Sequence, residues 1–338
     1  MRAVVTGAAG FIGSHVAEIL LRRGWAVLGI DDLSGGFEAN LPAGIEFERL
    51  SILDPLDKVM GAFRPDFVYH LAAYAAEGLS HHIPVFNCRN NIEGTTNVLA
   101  AAYRAGVRHL VFTSSIAVYG HPSDGRAFSE EDPCHPCDPY GVAKLACELQ
   151  IRTFREHYGR PDYTIFRPHN VYGPRQNISD PFRNVVGIFM RCALLGKRFP
   201  IFGTGTQTRS FSYVTHVATA IAVAPSVPRA RNELFNVGAD EITTIGQLGE
   251  IIAEVMGVQA DLERLPARRE VKHAHADHAK SDGVFSGDMP AAMSLREGLS
   301  AMAAHVRSNP VPPPTPCPSA IEIRDGLPPS WLRYAPPG

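Results

Sequence analysis

Ala3-Val4-Val5-Thr6-Gly7-Ala8-Ala9-Gly10-Phe11-Ile12-Gly13-Ser14-His15-Val16-Ala17-Glu18-Ile19-Leu20 is the stretch that decides the fold of this 338-residue chain. A short apolar run meets glycines spaced G-x-x-G-x-x-G, after which Val16, Ile19 and Leu20 recur at helical spacing until Gly24. The pattern reads as strand, tight turn and helix. Glycine suits that turn because a bulky side chain would hold the helix N-terminus, with its free N–H groups and positive dipole end, away from a pyrophosphate. The expected contacts are Gly7, Gly10, Phe11, Ile12 and Gly13. The spacing departs from the commoner G-x-G-x-x-G, so on this stretch alone a glycine-rich turn that binds nothing stays open.

The next apolar strand, residues 25–30, ends in Asp31, 18 residues after Gly13. That is close to the ~20 expected for the acidic residue that holds an adenosine ribose in a dinucleotide site. A carboxylate there repels a 2′-phosphate, and residues 32–36 contain no Arg or Lys, so the reading favours NAD over NADP. Asp32 is an equal candidate for the ribose. Further strands are expected at 67–71, leading into the small residues Ala72 and Ala73 where backbone can pass close to a cofactor, and at 109–112, 163–167 and 233–237. Helices are expected at 91–103 and after Asp138-Pro139 as far as Gly159, the latter carrying Leu145, Leu149 and Phe154 on one face. Strand alternating with helix implies a parallel, doubly wound sheet with its ligand crevice at the C-terminal strand ends.

Two groups arrive at those ends. Residues 109–112 deliver Thr113-Ser114-Ser115, and the later helix carries Tyr140 and Lys144, which share a helix face because residues four apart are neighbours. A phenol has an ordinary pKa near ~10, and a fixed cation beside it favours the charged form, so the pair suits a base working near neutral pH.

Composition narrows the remaining classes. With 32 basic and 34 acidic side chains, the chain has no electrostatic claim on nucleic acid or an anionic membrane. No apolar run reaches membrane-spanning length, the first residues enter a strand without a cleavable leader, and six scattered cysteines do not form a disulfide framework. A cytoplasmic protein is expected. Cys134-x-x-Cys137 and the His273, His275, His278 group lack a second ligand pair at suitable spacing, so no metal is expected.

Thr6-Gly7-Ala8-Ala9-Gly10-Phe11-Ile12-Gly13, Asp31, Thr113-Ser114-Ser115, Tyr140 with Lys144, and Arg167-Pro168-His169-Asn170-Val171-Tyr172-Gly173-Pro174 occur in one order. Together they resemble the extended short-chain dehydrogenase/reductases, in particular the NAD-dependent nucleotide-sugar epimerases and dehydratases. The resemblance implies an α/β chain with a Rossmann NAD-binding domain at 1–168, rejoined by about 209–237. It implies a smaller C-terminal α/β substrate-binding lobe at 169–208 and 238–308, and leaves a Pro-rich tail at 309–338. It assigns Tyr140 as base, Lys144 as the ribose-binding cation, and Ser115, with Ser114 beside it, as the hydroxyl partner of the reacting group. NAD contacts are implied at Ser51, Ile52, Leu71, Ala72, Ala73, Asn91, Thr113, Arg167 and Pro168. Ser51 stands where the family has an adenine-contacting Asp, with Asp54 as the other candidate. Substrate contacts are implied at Asn170, Asn184, Arg209 and Arg268, and His275 matches a position that limits the sugar C2 substituent. The helices beginning near Asn91 and Tyr140 are expected to pair in a homodimer.

The subfamily is argued from residues that are missing. Sugar 4,6-dehydratases resemble this segment but carry Asp-Glu where Ile116-Ala117 stand, because eliminating water needs a further acid and base. Decarboxylases and 3,5-epimerases of the family also lose their required group at Ala117. What remains implies 4-epimerisation of a UDP-hexose. A dehydratase, a 4-reductase or dehydrogenase, and a non-catalytic NAD sensor are the alternatives.

Overall fold

The computed structural model describes residues 1–122, 126–267, 271–332 and 334. Its centre is a parallel sheet of seven strands: β1 (Arg2–Thr6), β2 (Ala26–Asp31), β3 (Glu46–Arg49), β4 (Phe67–His70), β5 (His109–Thr113), β6 (Asp162–Pro168) and β7 (Glu233–Val237). The spatial order is β7-β6-β5-β4-β1-β2-β3. Chain order therefore reverses between β1 and β4, and such a switch point opens a crevice outside the strands' C-terminal ends. β3 extends the sheet beyond what the apolar pattern indicates, because its side chains are largely exposed.

Period-two alternation places neighbouring residues on opposite faces of the sheet. Val5, Val27, Tyr69, Val111, Phe166 and Phe235 pack with the Phe11–Arg22 and Val214–Val223 helices. Val4, Leu28, Val68, Leu110, Phe112 and Ile165 pack on the other side with Met60, Val98, Leu99, Cys147 and Ile151. Strands covered on both faces read as continuous apolar runs, which is why they are legible in the sequence. A separate core of Phe189, Met190, Phe199, Leu248, Ile252 and Leu299 gathers the later helices. Small sheets accompany it, including a parallel pair of Phe199–Phe202 and Leu262–Leu265 and a three-stranded sheet centred on Thr208–Ser210.

Two helices differ from the sequence reading. The helix expected from residue 91 begins at Pro84 and runs to Arg104 through a wider, π-helical turn at Arg89–Glu93. The Pro139–Tyr158 helix is capped by Asp138, which accepts from the Gly141 N–H at 2.8 Å, and stops at the left-handed Gly159, a common helix C-terminus. Its buried face is Tyr140, Ala143, Lys144, Cys147 and Ile151. The three residues expected on one face do not share it: Leu145 and Phe154 pack in different clusters and Leu149 is 54% exposed. Among the described residues no helix is long and apolar enough to cross a membrane.

Candidate active site

A cleft of about 1480 Å³ opens at the C-terminal ends of β1, β4 and β5. Single-ligand pockets are typically ~300–1,000 Å³, so this one has room for a dinucleotide and a second molecule beside it. Gly7, Gly10, Phe11, Ile12, Gly13, Asp31, Asp32, Ile52, Leu71, Ala72, Ala73, Thr113, Ser114, Ser115, Tyr140, Lys144, Pro168, Asn170, Asn184 and Arg209 all line it.

The glycine turn is shaped by close backbone approach. Gly7 has φ +73°, and a Cβ there would lie 2.8 Å from the Ala72 nitrogen; a Cβ on Gly13 would lie 2.0 Å from the Gly7 carbonyl oxygen. Only glycine leaves this cradle open and the helix N-terminus exposed to an anion. The Asp31 carboxylate accepts from Leu33 N–H at 2.8 Å and Ala9 N–H at 3.0 Å, tying the end of β2 to the turn. Burial raises its pKa, against the lowering effect of those N–H groups. Asp32 accepts from the Ser34 N–H at 2.9 Å and lines the same edge. At the far end of the cradle the Thr113 hydroxyl is buried without a hydrogen-bond partner. These features fit a bound dinucleotide.

Tyr140 and Lys144 are 6% and 4% exposed. Lys144 Nζ donates to the Thr113 carbonyl at 2.7 Å and lies 5.8 Å from the Tyr140 ring centroid. The Ser115 side chain stands beside the phenol and accepts from the Ala117 N–H at 3.2 Å. Burial pushes the Tyr140 phenol well up, the Glu77 carboxylate adds to that, and the Ser115 side chain opposes it. Burial also pulls Lys144 down to about 8, with Cys147 and Glu148 opposing. The phenol is thus raised by its burial, where its pairing with Lys144 leads one to expect a lowering.

Several expected contacts lie elsewhere. Ser51 folds into its own turn, donating its N–H to Asp54 at 2.8 Å and accepting from Leu53 N–H at 3.2 Å, and does not line the cleft. Asn91 is buried in the π-helical turn, where its Oδ1 accepts from the Tyr74 N–H at 2.9 Å and its Nδ2 donates to the Tyr74 carbonyl at 3.2 Å. It holds the loop after β4 rather than a ligand. Arg167 is buried against Glu148, Nη2 to Oε2 2.6 Å, and is drawn behind the cleft by that charge. Ser114 borders the cleft, yet its hydroxyl donates to the same Glu148 at 2.5 Å. His275 does not line the cleft, and Arg268 lies outside the described residues.

Of the substrate candidates, Asn184 caps the Val185–Leu194 helix by accepting from the Val186 N–H. Asn170, at φ +39°, donates to the Ser210 carbonyl at 3.1 Å. Arg209 donates to the carbonyls of Thr208, Val271 and Lys272. All three therefore hold cleft walls with side chains that also border it. The cysteine pair at 134 and 137 is unbridged, and no cluster able to hold a metal occurs among the described residues.

The cleft also contains residues that sequence reasoning missed. Glu77 and His81 stand in the segment after β4, and its Ser80 hydroxyl accepts from the Tyr140 N–H at 3.2 Å. Arg183 lines the cleft, paired with buried Asp180 at 2.9 Å and lying over the Tyr74 ring at 4.7 Å. The only local signal for Arg183 was its position immediately before Asn184. Residues Asp325 to Trp331 of the tail line the cleft too.

Residues 3–238 match the family described as the NAD dependent epimerase/dehydratase family. The chain is 36% identical over 310 residues to the UDP-glucose 4-epimerase of Mycolicibacterium smegmatis, covering 89% of this chain and 96% of that protein. Its fold superposes on UDP-glucose 4-epimerase from Thermotoga maritima, solved with UDP-glucose, with TM-score 0.86 and 34% identity, covering 91% and 99% of the two chains. The UDP-glucose 4-epimerase of Thermus thermophilus in complex with NAD gives TM-score 0.84 and 33% identity, covering 91% and 99%.

Proposed function

On the premise that the chain belongs to the NAD-dependent epimerase/dehydratase family, we propose that it inverts C4 of a UDP-hexose through a transient 4-keto sugar. Bound NAD would supply the hydride acceptor and donor for that inversion. Gly7, Gly10 and Gly13 would seat its pyrophosphate, Asp31 or Asp32 its adenosine ribose, and Lys144 with Thr113 its nicotinamide half. Tyr140 takes the proton of the sugar 4-hydroxyl and gives it back after the keto sugar has turned, while Ser115 holds that oxygen. Burial raises the phenol, and positive charge beside it favours the phenolate that acts as base. Lys144 supplies part of that charge, and a bound nicotinamide cation would add to it.

The observation that carries this reading is the pairing of Tyr140 with Ser115 at the cleft while the next residues are inert. Ile116 is buried in an apolar cluster and Ala117 is occupied with its turn, so neither supplies the extra acid or base that elimination needs. Uridine is supported by the relatives' substrates and by a slot in the second lobe lined by Ile201, Phe202, Ile245 and Leu265, with Gln207 and Arg209 beside them. A homodimer is supported by the exposed apolar side chains Val85, Val142 and Leu149 on the two helices.

Glu77 supports a second reading. It is a carboxylate in the cleft close enough to Tyr140 to act on its charge, and could serve a carbon adjacent to the keto group, as in a dehydratase. The purified protein incubated in D₂O with UDP-glucose, UDP-galactose, UDP-N-acetylglucosamine and UDP-glucuronate separates the two by NMR. Epimer formation with no deuterium at C3 or C5 and no net NADH is expected. Deuterium at C5, an unsaturated product or stoichiometric NADH would overturn 4-epimerisation.

A further inference from the structure

The matched relatives are covered almost end to end, yet about a tenth of this chain lies outside each match. The Pro-rich C-terminal segment has too many prolines to build regular secondary structure over most of its length, but it is not loose on the surface. It is fixed at three places. Near its start, Pro312 O accepts from Ser179 Oγ and Arg191 Nη1, both at 2.7 Å, and Thr315 N–H donates to Ser179 O at 3.0 Å. In its middle, Glu322 and Ile323 N–H groups donate to the His82 carbonyl at 2.9 and 3.2 Å. The Glu322 carboxylate also accepts from Val85 N–H at 2.7 Å and Phe86 N–H at 2.9 Å. Those are free donors of the helix beginning at Pro84, so the tail supplies the cap that helix otherwise lacks. At its end, Trp331 is buried edge-on against Phe182 at 5.3 Å and joins Ala76, Leu79, Ile83 and Cys317 in one apolar cluster.

The surface it packs on is catalytic ground. Residues 74–86 carry Glu77 and Ser80, and Ser80 accepts from the Tyr140 N–H. Asn87 donates to the Pro139 carbonyl at 2.9 Å. The tail thus abuts the segment that seats the start of the Tyr140 helix. From this position Asp325, Gly326, Leu327, Pro328 and Trp331 face into the cleft.

We propose that residues 311–332 form a built wall of the sugar end of the cleft and select among nucleotide sugars, disfavouring hexuronates through the Asp325 carboxylate. This deepens the proposed 4-epimerase reading and rests on it for the identity of the sugar end. A neutral hexose meets the wall without charge, whereas a sugar carboxylate enters a cleft bordered by the Asp325 and Glu77 carboxylates. Arg183, which lines the same cleft, is already paired with Asp180.

The test uses the full NAD-loaded protein, a chain ending at Asn309, and Asp325→Asn. Calorimetric affinities for UDP, UDP-glucose and UDP-glucuronate are measured, together with kcat/KM for the two sugars. UDP alone, lacking a sugar, reports whether the truncated chain keeps its nucleotide slot. Both variants should raise the glucuronate-to-glucose affinity ratio, by about fivefold for Asp325→Asn, the factor for two unit charges ~4 Å apart in a water-like medium. An unchanged ratio in Asp325→Asn, or a truncation that weakens UDP and both sugars equally, would overturn the wall's role in selection. If the wild type binds no nucleotide sugar at all, the proposed function fails, and this inference with it.

Discussion

Replacing Glu148 by Gln tests the account of what lies behind the hydroxyls of residues 113–115. Glu148 and Arg167 side chains are 1% and 3% exposed, joined Oε2 to Nη2 at 2.6 Å and Oε1 to Nε at 2.9 Å. Burial pulls Arg167 down, but the hydrogen bonds and charge of Glu148 more than offset it, leaving its pKa raised. Arg167 Nη1 is already buried without a hydrogen-bond partner. Glu148→Gln keeps the shape and removes the counter-charge, leaving a buried cation to be compensated by dipoles. Breaking a buried pair in this way costs ~3–5 kcal/mol. With ~2.1 cal/mol/K per residue, the unfolding entropy of 338 residues is about 0.7 kcal/mol/K, so the melting midpoint should fall by roughly 4–7 °C. Calorimetry of the NAD-free protein measures it. Replacing the whole network by apolar groups, Glu148→Leu with Arg167→Met and Ser114→Ala, should restore most of the loss, because no charge is then stranded. An unchanged midpoint in Glu148→Gln, or a triple variant less stable than the single one, would refute the reasoning.

Other substitutions test other links. Tyr140→Phe should lower turnover by ~10²–10⁴, the range of general acid–base catalysis, while NAD binding followed by fluorescence persists; unchanged turnover would remove Tyr140 from the chemistry. Gly13→Ala should abolish NAD binding in a titration, since the added methyl falls 2.0 Å from the Gly7 oxygen; retained affinity would show that the turn is not the pyrophosphate seat. Glu77→Gln removes a charge that raises the Tyr140 phenol, so the acid limb of the kcat profile should move to lower pH; no movement would place Glu77 outside the base's field. His109, which burial lowers to about 4, and His70, lowered to about 3 by burial and then Lys144, stay neutral when folded and charge when unfolded. Their contribution is intact above ~6.5 and is lost as pH falls toward those values; His109→Gln should flatten that slope in denaturant titrations, and an equal slope would refute it. Val142→Glu with Leu149→Glu should give a monomer by light scattering; an unaltered dimer, or a wild-type monomer, would remove the helix-pairing interface.

The sequence by itself determined the layered α/β chain, the glycine cradle, the carboxylates at the end of β2 and the shared face of Tyr140 and Lys144. Each is a local pattern, set by period two, period 3.6, or a glycine where only hydrogen fits. Tertiary structure decided what each polar group spends itself on. Arg167 looks like a cleft residue until Glu148, on another element, draws it behind the cleft, and the Ser114 hydroxyl at the cleft's edge turns to the same carboxylate. Asn91 reaches the loop after β4 only because a π-helical turn rotates it there, and the Tyr140 phenol rises rather than falls because folding removes water from around it. The tail is the extreme case: prolines make it look like a linker, and only contacts across more than a hundred residues, such as Glu322 on Val85 and Phe86, turn it into a wall of the cleft. Local spacing cannot encode such contacts, because they depend on how far-separated surfaces complement one another after the sheet has formed.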